Sequence, residues 1–207
     1  AKRNVLIVGN SGEGETAIAR SLAIRINNGM CPDRLHGLKY YEIHKNAFLD
    51  GVAMPSEIHA RINTFMHDVV DNENSALVFI DDFDWMLDIG QRMGANPELY
   101  MKKWLPKSRI VATMSYEAWK TAKNDNAAVL NEFQVVRLAE LTTEKTISII
   151  KQCRVRYEEY FGVTISDNII EKCVKLAERY VGEGNFPQKA LRILDDACSQ
   201  KTAGLYK

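Results

Sequence analysis

The segment at residues 5–29 constrains the fold most, because it joins a strand signal, a glycine-rich turn and a helix signal without a break. Four apolar residues at positions 5–8 lead directly into GNSGEGET at residues 9–16. The stretch that follows carries apolar residues at positions 18, 22 and 26 and stops at Gly29, which is the spacing of one helix face and a helix-ending glycine. The segment therefore predicts a strand, a glycine-rich loop and an α-helix in immediate succession.

The same alternation of strand and helix signals continues through the first two-thirds of the chain. A helix is predicted over residues 55–70, which open with Pro-Ser-Glu and place Ile58, Ile62 and Met66 on one face. The stretch at residues 88–106 is predicted to be irregular. Further strands are predicted at residues 38–43, 76–80, 109–113 and 134–138. Strands that alternate with helices predict a mostly parallel sheet in a three-layer α/β fold.

The pattern changes from about Leu141, where the strand signals stop. Turn signals separate three predicted amphipathic helices, at residues 143–162, 165–182 and 187–200. The sequence therefore predicts two parts, an α/β subdomain at residues 1–141 and a small helical subdomain at residues 142–207.

The charge and composition narrow the possible partners. Lys+Arg and Asp+Glu balance at 27 each, so the formal net charge is zero and no basic excess points to nucleic acid or an anionic membrane. The longest apolar runs are short, such as VLIV and ALVFI, so no bilayer span is expected. The amino terminus lacks a secretory signal pattern. The widely separated cysteines lead us to expect a cytoplasmic or organelle-matrix protein.

The cysteine and histidine positions predict reduced thiols and no metal centre of their own. No C-x-x-C pair occurs, and no histidine stands at ligand spacing from a cysteine or an acid. Cysteines far apart in the sequence are typical of structural thiols in a reducing compartment. The cysteines are Cys31, Cys153, Cys173 and Cys198, and the histidines are His36, His44, His59 and His67.

The glycine-rich loop at residues 9–16 matches seven of the eight positions of the phosphate-binding pattern G-x-x-x-x-G-K-[ST]. Such a loop binds phosphate because backbone N–H groups and a helix N-terminus converge on the anion, while a Ser or Thr hydroxyl binds Mg²⁺. Three glycines supply the backbone freedom here. A plain glycine-rich turn that caps a helix is the alternative. The predicted nucleotide-contacting residues are Gly9, Asn10, Ser11, Gly12, Glu13, Gly14, Glu15 and Thr16.

Glu15 occupies the position at which the pattern requires lysine. A lysine ammonium attracts a triphosphate, whereas a carboxylate repels it. Two unit charges about 4 Å apart interact by about 4 kcal/mol at an effective dielectric constant of roughly 20. At about 1.4 kcal/mol per decade, the charge reversal lowers the expected ATP affinity by orders of magnitude. Glu13 adds a second acid to the loop.

Two acids, Asp81 and Asp82, follow the apolar strand predicted at residues 76–80. A buried strand that delivers an acid to a phosphate-bound metal ion is the expected partner of a phosphate loop. Asp81 is therefore predicted to bind Mg²⁺ together with Thr16 if nucleotide binds. The alternative is an acidic N-cap on a helix that follows a core strand.

Four longer stretches resemble the first ATPase module of the ClpA/ClpB class of AAA+ unfoldases and disaggregases, and the resemblance covers essentially the whole chain. They are VLIVGNSGEGETAIARSLAIRI, ALVFIDDFDWML, LTTEKTISIIKQCRVRYEEYFGVTISDNII and ERYVGEGNFPQKALRILDDAC. The resemblance implies a three-layer P-loop NTPase (AAA+) parallel sheet followed by a small all-α lid subdomain. It also implies ATP or ADP with Mg²⁺, a ring of like or paralogous AAA+ subunits, and a polypeptide substrate or adaptor. The family's segment upstream of the first strand is absent, so an excised domain is expected.

The resemblance assigns roles to the acids position by position. Glu15 replaces the phosphate-loop lysine, and Asp81 matches the metal-coordinating acid. Asp82 replaces the glutamate that activates the attacking water, so Asp82 is the catalytic candidate. Its side chain is one methylene shorter, and a misplacement of about 1 Å can cost about a hundredfold in rate.

Two further family features fall on altered residues. The polar pair that ends the family's fourth strand falls on Met114 and Ser115, so only Ser115 keeps a polar side chain for the nucleotide site. The arginine pair that reaches a neighbouring subunit's nucleotide falls on Asn131 and Glu132. An arginine finger contributes about 10³–10⁵ in rate, and neither replacement supplies its charge.

The remaining family segments concern the lid and the translocation loop. Pro187, Lys189 and Ala190 match the family's P-D-K-A segment, so Lys189 is expected either near a phosphate or as a solvated lysine at a helix start. The basic–aromatic pair of the translocation loop falls on Ala53 and Met54. Met54 offers only a flexible apolar side chain, so we expect that this loop no longer pulls substrate as it does in relatives.

Changes at the lysine, the catalytic acid, the arginine pair and the pore aromatic point to a naturally degenerate module rather than to one engineered substitution. We therefore expect weak or no ATP binding, no hydrolysis, and a role in the assembly or regulation of a larger Clp-type ring. One alternative is a slow ATPase whose missing cation comes from Lys189 or from Lys2 and Arg3. Another is reuse of the cleft for a ligand other than a nucleotide.

Overall fold

The structure, a computed structural model, describes residues 4–52, 54–92 and 101–204. The chain divides into two compact units. The sheet unit comprises the residues up to Gly9 and Glu15–Leu138. The helical unit comprises Asn10–Gly14 and the residues from Ala139 onward. The predicted domain boundary after residue 141 stays a prediction. The sequence did not predict that part of the glycine-rich loop belongs to the helical unit.

The sheet unit contains a five-stranded parallel sheet in the order β2-β3-β4-β1-β5. Its strands are β1 (Asn4–Gly9), β2 (Lys39–Ile43), β3 (Ala76–Ile80), β4 (Ile110–Ser115) and β5 (Phe133–Arg137). β3 is buried along its whole length, as expected for a strand of a parallel sheet covered on both faces. The predicted parallel sheet is confirmed, and every predicted strand is present to within two residues at each end.

Helices cover both faces of this sheet. They are α1 (Glu15–Asn27), α2 (Lys45–Leu49), α3 (Pro55–Asp71), α4 (Asp84–Arg92), α5 (Tyr116–Asp125) and α6 (Ala127–Leu130). Leu6 and Val8 of β1 join an apolar cluster with α3, whereas Ile7, which points to the opposite face, joins a second cluster with α1. Helices on both faces of a parallel sheet form the three predicted layers.

The buried faces of α3 and α1 test the predicted helix patterns. All three residues predicted to form the buried face of α3 are in the core. The predicted face of α1 is wrong at Ile18, which is 45% exposed. The buried stripe runs instead through Ala19, Leu22 and Ile26, because a helix turns by about 100° per residue and this set faces the sheet.

The stretch at residues 88–106, predicted to be irregular, begins inside a regular helix, because α4 continues to Arg92. Residues 93–100 lie outside the described residues. Met101 and Leu105 are fully buried, so the end of the stretch contributes to the core of the sheet unit.

The helical unit contains the three predicted helices, α7 (Thr143–Phe161), α8 (Asp167–Tyr180) and α9 (Gln188–Thr202). The side chains of Thr142 and Ser166 cap the first two by accepting a backbone N–H bond each. Ile150, Val174 and Leu194, one from each helix, are fully buried in the core of this unit. Across the described part of the chain, no helix is long and apolar enough to cross a membrane.

Candidate functional site

The carboxyl ends of the parallel strands share one edge of the sheet unit. In the strand register, Gly9 of β1 lies opposite Ser115 of β4, and Ile80 of β3 lies opposite Ala112. Asp81 follows β3 directly and therefore lies at this edge. Ligands of open parallel sheets bind at the carboxyl ends of the strands, so this edge is the candidate site of the sheet unit.

A network of hydroxyls around one carboxylate connects α1, β3 and β4 at this edge. Thr16 Oγ1 donates to Asp81 Oδ1 at 3.0 Å, and Thr113 Oγ1 donates to the same oxygen at 2.5 Å. Thr113 Oγ1 also accepts the backbone N–H of Asp82 at 3.0 Å. The structure thus brings together Thr16 and Asp81, the two residues predicted as magnesium ligands, and adds Thr113, which the sequence interpretation missed.

Thr113 is only 2% exposed, within a buried strand. A hydroxyl among the apolar residues of a core strand is the signal that could have identified it, because a buried hydroxyl needs a hydrogen-bond partner. The sequence interpretation instead assigned the polar pair to the next two residues. Met114 is buried in the core. The Ser115 hydroxyl accepts the backbone N–H of Ala118 at 3.1 Å and so caps α5.

Asp82, the catalytic candidate, has a left-handed backbone with a φ of 49°. This conformation is uncommon for residues other than glycine, although aspartate tolerates it better than most. Partial desolvation raises the pKa of the Asp82 carboxyl, the charge of Asp81 raises it further, and Lys45 lowers it. Burial also raises the pKa of Asp84. A raised pKa makes a carboxylate a stronger base, so Asp82 keeps some of the chemistry of a proton acceptor.

A polar cavity of about 490 Å³ opens at this edge of the sheet unit. Three acids line it, Asp81, Asp82 and Asp84, together with His44, Lys45 and Ser115. Within residues 4–52, 54–92 and 101–204, no cluster of three or more His, Cys, Asp or Glu side chains is arranged to hold a metal ion. Mg²⁺ is commonly held by one or two protein side chains plus substrate phosphates, which is the role predicted for Thr16 and Asp81.

The glycine-rich loop of the helical unit is closed on itself by Asn10 and Glu13. The backbone N–H of Asn10 donates to Glu13 Oε2 at 2.9 Å, and its side-chain amide donates to Oε1 at 2.8 Å. The backbone N–H of Glu13 returns a bond to the Asn10 carbonyl at 3.0 Å. Glu13 is only 6% exposed, so its carboxylate is enclosed in the loop.

The residues before and at the start of α9 also contact the loop. The Asn185 amide donates to the Ser11 carbonyl at 3.2 Å, and the Gln188 backbone N–H donates to the Gly12 carbonyl at 3.4 Å. Gly12 has a φ of 93°, and a Cβ added there would lie 2.8 Å from Cβ of Gln188. Both the backbone conformation and this close approach therefore require glycine at this position.

The cations proposed to replace the missing lysine have separate positions. Lys189 Nζ lies 4.4 Å from the centroid of the Phe186 ring, within range of a cation–π interaction in the helical unit. Lys2 and Arg3 lie outside the described residues. The structure therefore gives Lys189 a partner within its own unit.

The positions of the family's arginine pair and translocation pair are on the surface or only partly buried. Asn131, which ends α6, is exposed, and Glu132 is half-buried. Met54 is 61% exposed at the start of α3, and its backbone N–H donates to Glu57 Oε2 at 3.0 Å. Ala53 lies outside the described residues. None of the described side chains at these positions carries a positive charge.

Some of the predicted site residues are suited to a magnesium ion, whereas others are unsuited to the phosphates of a nucleotide. Thr16 and Asp81 present the hydroxyl and carboxylate oxygens that Mg²⁺ accepts. The glycine-rich loop encloses the carboxylate of Glu13, and Glu15 opens α1 with another. A phosphate binds a helix N-terminus because the positive end of the helix dipole favours an anion, but here two carboxylates already bring negative charge. The residues present therefore suit the metal ion but do not fit a triphosphate.

Comparison with known proteins identifies the family. The AAA lid domain family matches residues 142–205. The chain is 30% identical over 201 residues to heat shock protein 100 of Trypanosoma brucei brucei, and 28% identical over 202 residues to chaperone protein ClpB of Rhodopirellula baltica. Each alignment covers 96% of the chain. The chain is a Clp-family AAA+ module. The module spans 23% of the length of each of these relatives.

Solved structures support the fold of the module. A closed-state reconstruction of Hsp104 with ATPγS and FITC casein matches it with a TM-score of 0.87 at 22% identity, over 97% of the module and 34% of that chain. The extended S. cerevisiae Hsp104:casein complex matches with a TM-score of 0.86 at 22% identity, over 100% of the module and 35% of that chain. The predicted AAA+ parallel sheet with an all-α lid is confirmed.

Proposed function

We propose that this AAA+ module binds ATP weakly or not at all, does not hydrolyse it, and acts in the assembly or regulation of a larger Clp-type ring. Another module or subunit of the ring supplies the ATPase activity. The observation that carries the proposal is Glu15 at the first position of α1, beside Thr16, whose hydroxyl is bound to Asp81. A carboxylate thus stands where the phosphate-loop pattern requires an ammonium, next to the predicted metal ligands.

The magnitude of this charge reversal supports the proposal. One close pair of unit charges is worth about 4 kcal/mol at an effective dielectric constant of roughly 20. Replacing lysine by glutamate removes one attraction and adds one repulsion. Even after severalfold screening, the change corresponds to orders of magnitude in affinity at about 1.4 kcal/mol per decade.

Hydrolysis is disfavoured by two further features. The side chain of Asp82 is one methylene shorter than that of the family's catalytic glutamate. The left-handed backbone of Asp82 also orients this side chain differently from a side chain on an extended or helical backbone. Asn131 and Glu132 supply no arginine to a neighbouring subunit. The loss of an arginine finger alone is worth about 10³–10⁵ in rate.

We infer the partners of the module from its relatives. The Hsp104 complexes contain casein, a polypeptide. Like or paralogous AAA+ subunits in a ring, with a polypeptide substrate or an adaptor, are therefore the partners we propose, in a reducing cytoplasm or organelle matrix. The zero net charge supports neither nucleic acid nor an anionic membrane as a partner.

A slow ATPase is the second candidate, and one observation favours it. Thr16 and Asp81 remain in hydrogen-bond contact, supported by Thr113. Mg²⁺ held there would supply Lewis-acid chemistry, with Asp82 beside it as a proton acceptor. Lys189, whose ammonium group lies over the Phe186 ring, is the described residue proposed to replace the missing lysine.

Calorimetric titration with MgATP and MgADP separates the two candidates. We expect the wild-type chain to show no binding below millimolar concentrations and Glu15→Lys to gain measurable affinity. Glu117→Lys is the matched control, since Glu117 is an exposed acid in the first turn of α5 and the charge change is the same. Low-micromolar MgATP binding by the wild type, or phosphate release from ATP, would overturn the proposal and favour the slow ATPase.

A further inference from the structure

We propose that Glu13 is a second determinant of nucleotide exclusion, a built-in carboxylate that fixes the glycine-rich loop from within and opposes an incoming phosphate. This inference rests on the proposed function, because it concerns why the loop does not take a nucleotide. It differs from the argument on Glu15, which concerns the missing lysine.

Asn10 and Glu13 are joined across the loop by three hydrogen bonds, and we call this pair the clasp. Both carboxylate oxygens of Glu13 accept bonds from Asn10, one from the backbone N–H at 2.9 Å and one from the side-chain amide at 2.8 Å. The reverse backbone bond, from the Glu13 N–H to the Asn10 carbonyl, measures 3.0 Å. Three bonds between the same two residues hold the loop in one shape.

Because the Glu13 carboxylate is buried, its charge acts strongly on nearby groups. It is 6% exposed, so little water screens it. Hydrogen bonds to an ionised group are about twice as strong as those between neutral groups, so the clasp resists opening. A phosphate that entered the loop would meet this fixed negative charge at close range, where like charges repel most strongly.

Two backbone carbonyls of the loop also have hydrogen-bond donors within the helical unit. Asn185 donates to the carbonyl of Ser11, and the Gln188 backbone N–H donates to the carbonyl of Gly12. With the clasp on one side and these bonds on the other, the loop has partners within the helical unit. The loop therefore keeps its shape without nucleotide, and Glu13 supplies the negative charge that a phosphate loop otherwise takes from its ligand.

The binding test uses the Glu15→Lys chain, in which the first obstacle has been removed. MgATP affinity is measured by calorimetry in Glu15→Lys, in Glu13→Gln/Glu15→Lys, and in Glu117→Gln/Glu15→Lys. We expect Glu13→Gln to raise the affinity at least tenfold, because it removes the buried charge and keeps the shape. Glu117→Gln removes the same charge at an exposed site and should change the affinity less than twofold.

Each outcome has a separate meaning. If Glu13→Gln/Glu15→Lys folds like its parent by circular dichroism and gains no affinity, the inference on Glu13 is overturned while the proposed function stands. If the wild-type chain binds MgATP at micromolar concentration, the proposed function itself fails.

A measurement on the wild-type chain keeps the inference testable if the double variant does not fold. Amide hydrogen exchange of Asn10 should be at least tenfold slower than that of an exposed loop amide, with and without MgATP, since Glu13 accepts that N–H in the unliganded loop. Exchange at the rate of an exposed amide would show that the clasp does not persist in solution and would overturn the inference.

Discussion

The strand-end network and the glycine-rich loop are two parts of one nucleotide-type motif, and they differ in how well they match the family pattern. In the network, the predicted magnesium ligands Thr16 and Asp81 are hydrogen-bonded to each other, and Thr113 binds the same carboxylate. In the loop, Glu15 reverses the required charge, and Glu13 adds a buried acid. Under the proposed function, the first part keeps oxygen ligands of the kind that Mg²⁺ binds, whereas the carboxylates of the second oppose the phosphates of a nucleotide.

The difference shows which polar groups have a role in the fold itself. The Asp81 carboxylate and the Thr113 hydroxyl bind each other, and a buried polar group without a partner costs about 1–3 kcal/mol. In the phosphate-loop pattern, by contrast, the lysine reaches the outer phosphates of the ligand. A glutamate at that position suits the unliganded helix, since an acid at a helix N-terminus is stabilising.

The largest expected effect concerns Thr113→Val, which tests whether the network is structural. Valine has the same shape but can neither donate to Asp81 nor accept from the Asp82 N–H. We expect the free energy of unfolding to fall by about 2–3 kcal/mol, because the half-buried Asp81 carboxylate and the backbone N–H of Asp82 both lose their bond to the buried Thr113 hydroxyl. Urea denaturation measures it. Thr121→Val, at an exposed position of α5, is the control and should change stability by less than about 0.5 kcal/mol. If Thr113→Val lowers the free energy of unfolding only slightly, the strand-end network has no structural role, and the contrast between it and the glycine-rich loop does not hold.

A smaller effect is expected for Glu15→Lys in the absence of nucleotide. Glu15 lies in the first turn of α1, where the helix dipole favours an acid and disfavours a base. We expect the free energy of unfolding to fall by about 0.3–1 kcal/mol at low ionic strength, and we expect this difference to shrink as salt is added. Thermal melts at two salt concentrations check this. An increase in stability would contradict the view that the loop is adapted to the unliganded state.

The smallest expected effect concerns Asp82→Asn and its dependence on pH. The pKa of Asp82 is raised in the folded state above its ordinary value of 3.8, so the folded chain binds this proton more tightly than the unfolded chain. The ionised group therefore lowers stability at neutral pH, and this penalty fades as the pH falls through the folded-state pKa. An asparagine side chain at this position would remove the penalty, and asparagine tolerates the left-handed backbone.

Thermal melts at pH 7 and at about pH 4 test this prediction. We expect Asp82→Asn to raise the midpoint at pH 7 and to show a smaller gain in acid. The exposed Asp50→Asn is the control and should show little change. A gain for Asp82→Asn that is equal at both pH values would assign the effect to the backbone rather than to the charge.

Much of the fold could be predicted, because strand and helix signals depend on local spacing. The five strands and the buried face of α3 follow from such patterns. The predictions fail where the spacing of the apolar residues is compatible with more than one local structure or buried face. Ile18 fits the helical period as well as Ala19 does, and only packing against the sheet selects the second. The stretch from residue 88 carries mixed polar and apolar residues, and the helix that begins it is set by its contacts with the core.

The sequence by itself determined the strand–loop–helix order, the acids that replace the expected residues, and the family. Local periodicity and residue identity carry this information directly. Only the tertiary structure decided that Thr113 joins Asp81 and that the Glu13 carboxylate turns inward to Asn10. The sequence shows that a motif contains a charge. Whether that charge faces a ligand or is bound within the fold depends on backbone conformation and on distant strands brought into contact.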